Sequence, residues 1–187
     1  MTRTLTILLI LVSTLFLSGY KRPDKFYIDA ITNASRHNTL GTEYMRERCY
    51  YAAIQEFKIA ISLNPNTQAT SVYYKNIGDA YMAIGYPNMA KQPYEDAVRQ
   101  YSLNLQYYQN LAQCYKKLGL MNSKIAEYRK GGNALNKVML GVLYIENGNI
   151  KRGITVLDEF TASEPDLLIT PAVKQYVKEN VDKMNRI

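Results

Sequence analysis

Tryptophan is absent from this chain of 187 residues, histidine occurs once and cysteine twice. Each scarcity closes off a class of chemistry. The lone imidazole, His37, leaves no second histidine for a metal site, and alone it makes no acid–histidine–nucleophile set. Cys49 and Cys114 are too few and too far apart for a disulfide framework or a zinc site. A single bridge would need the fold to bring them together, and two separate small residues in helices is the simpler expectation. Gly131-Gly132 lacks the Gly-Lys-Ser/Thr of a phosphate loop and follows no strand. The adjacent carboxylates Glu95-Asp96 and Asp158-Glu159 point in different directions on a helix, which suits a solvated surface. The expectation is a non-enzymatic protein with no cofactor, no metal and no small-molecule substrate.

What is abundant is tyrosine, with 17 residues, and positive charge, with a formal net charge of +7. The excess is local. Residues 21–104 carry 10 Lys/Arg against 8 Asp/Glu, residues 105–152 carry 8 against 2, and residues 153–187 carry 4 against 6. A basic excess can meet nucleic acid, anionic lipid or an acidic protein surface.

Only one long apolar run occurs, in "MTRTLTILLILVSTLFLSGY". A short basic start precedes an apolar core from Leu5 to Leu17, the layout of a secretory signal. The core is short for a spanning helix, which needs about 20 apolar residues. Leu17-Ser18-Gly19 resembles the lipobox of bacterial lipoproteins, but Tyr20 stands where the lipidated cysteine would be. Residues 1–19 therefore read as a signal peptide or short anchor. The protein is expected to be exported, periplasmic or membrane-associated in a bacterium. Nucleic acid is disfavoured by that signal and by the lack of a reading module.

The body repeats itself. "LGTEYMRERCYYAAIQEFKIAISLNPN" from Leu40, "IGDAYMAIGYPNMAKQPYEDAVRQY" from Ile77, "LAQCYKKLGLMNSKIAEYRKGG" from Leu111 and "LGVLYIENGNIKRGITVLDEFTASEPD" from Leu140 share one register. A small residue stands at Gly41, Gly78, Ala112 and Gly141, followed three residues later by Tyr44, Tyr81, Tyr115 and Tyr144. After a turn come Ala53, Ala90, Lys124 and Gly153, and four residues on Phe57, Tyr94, Tyr128 and Leu157. Then come Ala60, Ala97, Gly131 and Phe160, with a closing Pro65 and Pro165. Lys124 and Phe160 depart from the small-residue rule.

This pattern resembles the tetratricopeptide repeat. The resemblance covers roughly 34–166 and implies an all-α fold, a superhelical solenoid of antiparallel helix pairs with a C-terminal capping helix. The repeats run at about 34–67, 71–104, 105–133 and 134–166. A tether or lead-in precedes them over 20–33, and the capping helix occupies 167–187. The six repeat tyrosines and second-helix aromatics are expected to pack, filling the space between neighbouring pairs. The spacings from small residue to small residue are 37, 34 and 29. They predict a longer turn after Pro65 and a short second helix in repeat three, stopped at Gly131-Gly132. Pro87 suits the first position of a helix. Pro93 is expected to kink it, so the superhelix should change angle around repeats two to four. Thr170 reads as an N-cap, with Pro171 at the first helical position.

In the repeat family the first helix of each pair lines a concave groove that accepts peptides. Carried over by position, the lining is Asn38, Thr42, Met45, Lys75, Asp79, Met82, Gln109, Gln113, Lys116, Val138, Val142 and Ile145. His37 falls where the family often has tryptophan. The carboxylate clamp of chaperone-binding members is not matched. Of its set only Asn76 agrees, while Asn38, Thr42, Gln106 and Asn110 stand in its other places. The implied role is a protein-interaction scaffold in the cell envelope, similar in outline to small repeat lipoproteins of secretion and outer-membrane assembly. The apolar stripe Leu135, Val138, Val142 and Ile145 calls for a cover, either the chain's own C-terminal helix or a partner's apolar segment. The alternative role is a peripheral membrane protein with Lys116, Lys117, Lys124, Arg129, Lys130 and Lys137 on anionic lipid.

Overall fold

The computed structural model describes residues 29–186. The signal segment 1–19, Tyr20 and the lead-in as far as residue 28 lie outside the described residues. Among the described residues there are nine helices and no strand: α1 Ala30–Arg46, α2 Tyr50–Leu63, α3 Gln68–Ile84, α4 Pro87–Gln100, α5 Leu105–Lys117, α6 Met121–Lys130, α7 Ala134–Glu146, α8 Ile150–Ser163 and α9 Thr170–Met184. They form an all-α array in which successive helices pack on one another. Residues 30–33, expected in the lead-in, already belong to α1.

Local chemistry sets the helix starts. Asp29 accepts a hydrogen bond from Thr32 N at 3.1 Å. Asn104 accepts from Gln106 N and Asn133 from Leu135 N. Each of these acceptors satisfies a backbone donor that the first turn leaves free. Pro87 opens α4, where its missing N–H costs nothing. Helix α4 then continues through Pro93 without ending.

The turn inside each pair is the same four times. A residue with positive φ stands seven places after the small residue: Arg48 (61°), Gly85 (90°), Gly119 (69°) and Gly148 (86°). The next residue donates its N–H to the repeat tyrosine's carbonyl, as Cys49 to Tyr44 at 2.8 Å, Tyr86 to Tyr81 at 2.9 Å, Leu120 to Tyr115 at 2.9 Å and Asn149 to Tyr144 at 2.8 Å. That closes the helix end with a left-handed residue, the conformation in which glycine carries no Cβ penalty. Arg48 is the exception. Arg48→Gly is expected to raise stability by about 0.5–1 kcal/mol, the left-handed penalty less glycine's entropy cost. Thermal unfolding followed by circular dichroism should show a gain of about 2–3 °C. An unchanged midpoint would mean that the arginine side chain offsets the strain.

The small residues set how closely the helices of a pair approach. A Cβ on Gly41 would meet the Phe57 ring at 2.6 Å, one on Gly78 the Tyr94 ring at 2.5 Å, and one on Gly141 the Leu157 side chain at 2.5 Å. These second-helix residues therefore fill the seam inside each of those three pairs, and Phe57 and Tyr94 also share a core with the next pair, the space the sequence had implied. Tyr94, Tyr115 and Tyr144 are buried, while Tyr44, Tyr81 and Tyr128 are half-buried against the core.

Repeat three departs from this plan. Helices α5 and α6 barely approach each other, and α5 instead runs against α7. Lys124 explains this. It occupies the place of Ala53, Ala90 and Gly153, and its stem cannot enter a tight seam. Its ammonium lies 5.1 Å from the Tyr115 ring centroid and 2.9 Å from Glu127 Oε2. Helix α6 is 10 residues long and stops at Gly131, as the short spacing predicts. The longer first spacing has another origin than the expected turn. Its three extra residues extend the start of α3, which has 17 residues against 13 in α5. The early start is held by a capping box, Thr67 N donating to Thr70 Oγ1 at 3.0 Å and Thr70 N to Thr67 Oγ1 at 3.3 Å.

Helix α9 packs on α8, and its Thr170 makes the bond that Thr70 makes in α3. Thr70 Oγ1 donates to the Asn64 carbonyl at 2.6 Å, and Thr170 Oγ1 to the Glu164 carbonyl at 2.5 Å. Thr170 is thus the first helical residue and not the N-cap, a place taken by Ile169, and Pro171 is the second. Its hydroxyl is drawn back to the end of α8 because a buried donor there needs an acceptor. "NPNTQAT" over 64–70 and "EPDLLIT" over 164–170 share the proline, Pro65 and Pro165, and the closing threonine, Thr70 and Thr170. Helix α9 covers the end of α8, and in this register Lys178 falls where Gly78 stands in α3.

Candidate functional site

The first helices of the first three pairs, α1, α3 and α5, present a row of side-chain amides and carboxylates that touch one another. Asn76 Nδ2 donates to Asn38 Oδ1 at 3.0 Å. Asn110 Nδ2 donates to Asp79 Oδ1 at 3.2 Å, and Gln106 Nε2 donates to Asn110 Oδ1 at 2.7 Å. Asp79 is the hub. Its Oδ2 pairs with Lys75 Nζ at 2.6 Å, and its Oδ1 also accepts from the Tyr94 hydroxyl at 2.7 Å. Burial, and then the Asp79 charge, hold the Tyr94 hydroxyl far above its ordinary range. The row thus joins three of the positions expected from sequence, Asn38, Lys75 and Asp79. It adds Asn76, Gln106 and Asn110, which appeared only in the failed clamp comparison.

The remaining positions divide by burial. Thr42, Gln113 and Lys116 are exposed, while Met45, Met82 and Gln109 are half-buried. Val138, Val142 and Ile145 are not groove residues. Val138 and Val142 are fully buried and Ile145 nearly so. They share one core with Leu111 of α5 and with Val173, Tyr176 and Val177 of α9. The close passage of α5 along α7, and the return of α9, close the groove over repeat four. The apolar stripe found in the sequence is therefore core covered from within the chain.

Helix α9 brings polar residues that sequence reasoning missed. Between α5 and α9 lies a cleft of about 590 Å3, with Gln106 and Gln109 on one side and Gln175, Tyr176 and Glu179 on the other. Burial pushes the Tyr176 hydroxyl up to about 12, with the Glu146 charge the next cause. The shared threonine register was the signal that could have revealed this wall. It aligns Gln175 with Lys75 and Glu179 with Asp79.

The basic cluster is partly engaged in packing. Arg129 donates to the Tyr144 hydroxyl at 2.8 Å, and the Arg152 guanidinium lies 4.8 Å from that ring's centroid. His37 Nδ1 meets Glu56 Oε2 at 2.6 Å, tying α1 to α2. Cys49 is exposed at the start of α2, and Cys114 is buried in α5, so both are free thiols. Burial raises the Cys114 thiol to about 11, outside the range of a reactive thiolate. Among the described residues no group of three or more His, Cys, Asp and Glu could hold a metal, and no helix is long and apolar enough to cross a membrane.

A family described as the tetratricopeptide repeat matches residues 105–131, which is the α5–α6 pair. Similar solved structures include MamA, at 20% identity over 71% of this chain and 74% of that one, with a TM-score of 0.47. The Sgt2 TPR domain from Aspergillus fumigatus aligns at 19% identity over 64% and 82%, with a TM-score of 0.47. TTC0263, a thermophilic TPR protein in Thermus thermophilus, aligns at 18% identity over 82% and 84%, with a TM-score of 0.46. No curated protein matches the chain.

Proposed function

From an all-α array whose third helix pair matches the tetratricopeptide repeat, we propose that the protein is a non-enzymatic interaction scaffold of the bacterial cell envelope. It takes an extended segment of a partner along the groove of α1, α3 and α5. The observation that supports this is the amide row Asn38–Asn76 and Gln106–Asn110–Asp79. A carboxamide both donates and accepts, so a row of them matches the alternating N–H and C=O groups of an extended backbone whatever its side chains. The concave face of a solenoid offers that row over several repeats. The envelope placement draws on the basic start and apolar core of residues 1–19.

The test is affinity capture from an envelope fraction with wild-type protein and with the double variant Asn76→Ala/Asn110→Ala. Both substitutions lie on the groove, so helix content should persist while partner recovery falls at least about tenfold, the loss of roughly 1.4 kcal/mol. Equal recovery would remove the groove from the function. Recovery from cytoplasmic fractions alone would remove the envelope. The membrane-surface alternative predicts salt-sensitive sedimentation with phosphatidylglycerol vesicles. Lys124 and Arg129 already hold Tyr115 and Tyr144, so little such binding is expected.

A further inference from the structure

We propose that the cleft between α5 and α9 is a subsite for a basic residue, the ammonium or guanidinium of a lysine or arginine in the partner segment. This rests on the groove reading and adds the specificity of one position. Two observations carry it.

The first is a comparison within the chain. Thr70 in α3 and Thr170 in α9 each donate to the carbonyl six residues back, and this shared bond sets one register for the two helices. In α3 the groove-facing carboxylate Asp79 has an internal cation, Lys75, at 2.6 Å. At the same places α9 has Gln175 and Glu179. Gln175 Nε2 donates to Glu179 Oε1 at 3.0 Å, so the geometry is kept and the charge is missing. Glu179 forms no ion pair among the described residues.

The second is the lining. In a chain of formal charge +7, no lysine or arginine lines this cleft, and Glu179 is its one charged residue. The walls are otherwise amide, aromatic and aliphatic, with Gln106 and Gln109 facing Gln175 and Tyr176. An anionic ligand would meet only repulsion from Glu179. A neutral one would gain nothing from its charge. A cation gains the carboxylate and the amide oxygens. The cleft's volume of about 590 Å3 admits a lysine or arginine side chain with its backbone. The ligand's cation would stand where Lys75 stands in α3.

The probe is an immobilised array of random 15-residue peptides, read with the purified protein. Wild-type protein should favour Lys/Arg-bearing peptides over their Asp/Glu-bearing counterparts by about tenfold. Glu179→Gln should remove that preference without lowering total binding. Gln175→Lys, which copies the α3 arrangement, should also remove it by supplying the cation internally. Both residues are exposed, so folding is not at issue, and circular dichroism checks it. A preference that survives both substitutions overturns the subsite while leaving the groove reading intact. A preference that is lost with Glu179→Gln, alongside binding that Asn76→Ala/Asn110→Ala does not weaken, keeps the subsite and overturns the amide row. No peptide bound by any form overturns both.

Discussion

Phe57→Ala is expected to cost about 3–5 kcal/mol, the range for truncating a fully enclosed aromatic ring. Phe57 is 0% exposed, and its ring lies directly against the Gly41 backbone in the α1–α2 seam. The seam cannot collapse onto an alanine. Gly41 has no side chain to move in, and α1 is tied to α2 through His37 and Glu56. The lost contacts and the cavity therefore add. At about 2–4 °C per kcal/mol the midpoint should fall by more than about 6 °C. The control comes from the protein's own design. Pair four uses Leu157 in this place against Gly141, so Phe57→Leu should cost much less, about 1–1.5 kcal/mol. Urea unfolding of the three forms measures both values. Equal losses for alanine and leucine would mean that the seam is not packed as described.

Gly153→Val is the second large effect, and its cause is opposite. A Cβ at Gly153 would meet the Gly141 carbonyl oxygen at 2.7 Å and the backbone nitrogen of Ile145 at 3.1 Å. Those atoms belong to the α7 backbone, which cannot swing aside as a side-chain tip can. Two glycines thus let α7 and α8 touch backbone to backbone. A branched side chain must push the helices apart, at a cost of about 2–3 kcal/mol, against a propensity gain of a few tenths over glycine. The displaced α8 carries α9 with it, so the cleft beside Gln109 should change shape as well. Gly132→Ala is the reference, because a Cβ there meets nothing within 4 Å. If both variants melt together, the close crossing of α7 and α8 is wrong.

Much of this was legible in the residues. The four small-residue positions and the tyrosines three places later followed from one register. The short repeat three followed from its spacing of 29. What escaped depended on distances that no single repeat encodes. Val138, Val142 and Ile145 occupy groove positions by register and yet are core, because Lys124 spoils the α5–α6 seam and α7 moves onto α5 in its place. A pattern scored one repeat at a time cannot see that substitution act on its neighbour. Helix α9 was read only as a capping helix over 167–187. Its wall of Gln175 and Glu179 required comparing 164–170 with 64–70, across two segments that differ at most positions. The left-handed Arg48 hid the turn rule that Gly85, Gly119 and Gly148 spell out.

The bypass of α6 has a mechanical consequence. The packed core passes from α4 through α5 to α7, and α6 rests on α7 beside that route. Load along the array can therefore pass from α5 to α7 directly as well as through α6, whose Met121 and Ile125 sit in the same core. The rod is braced twice at mid-length, and the amide row and the carboxylate of the cleft are held on either side of that brace.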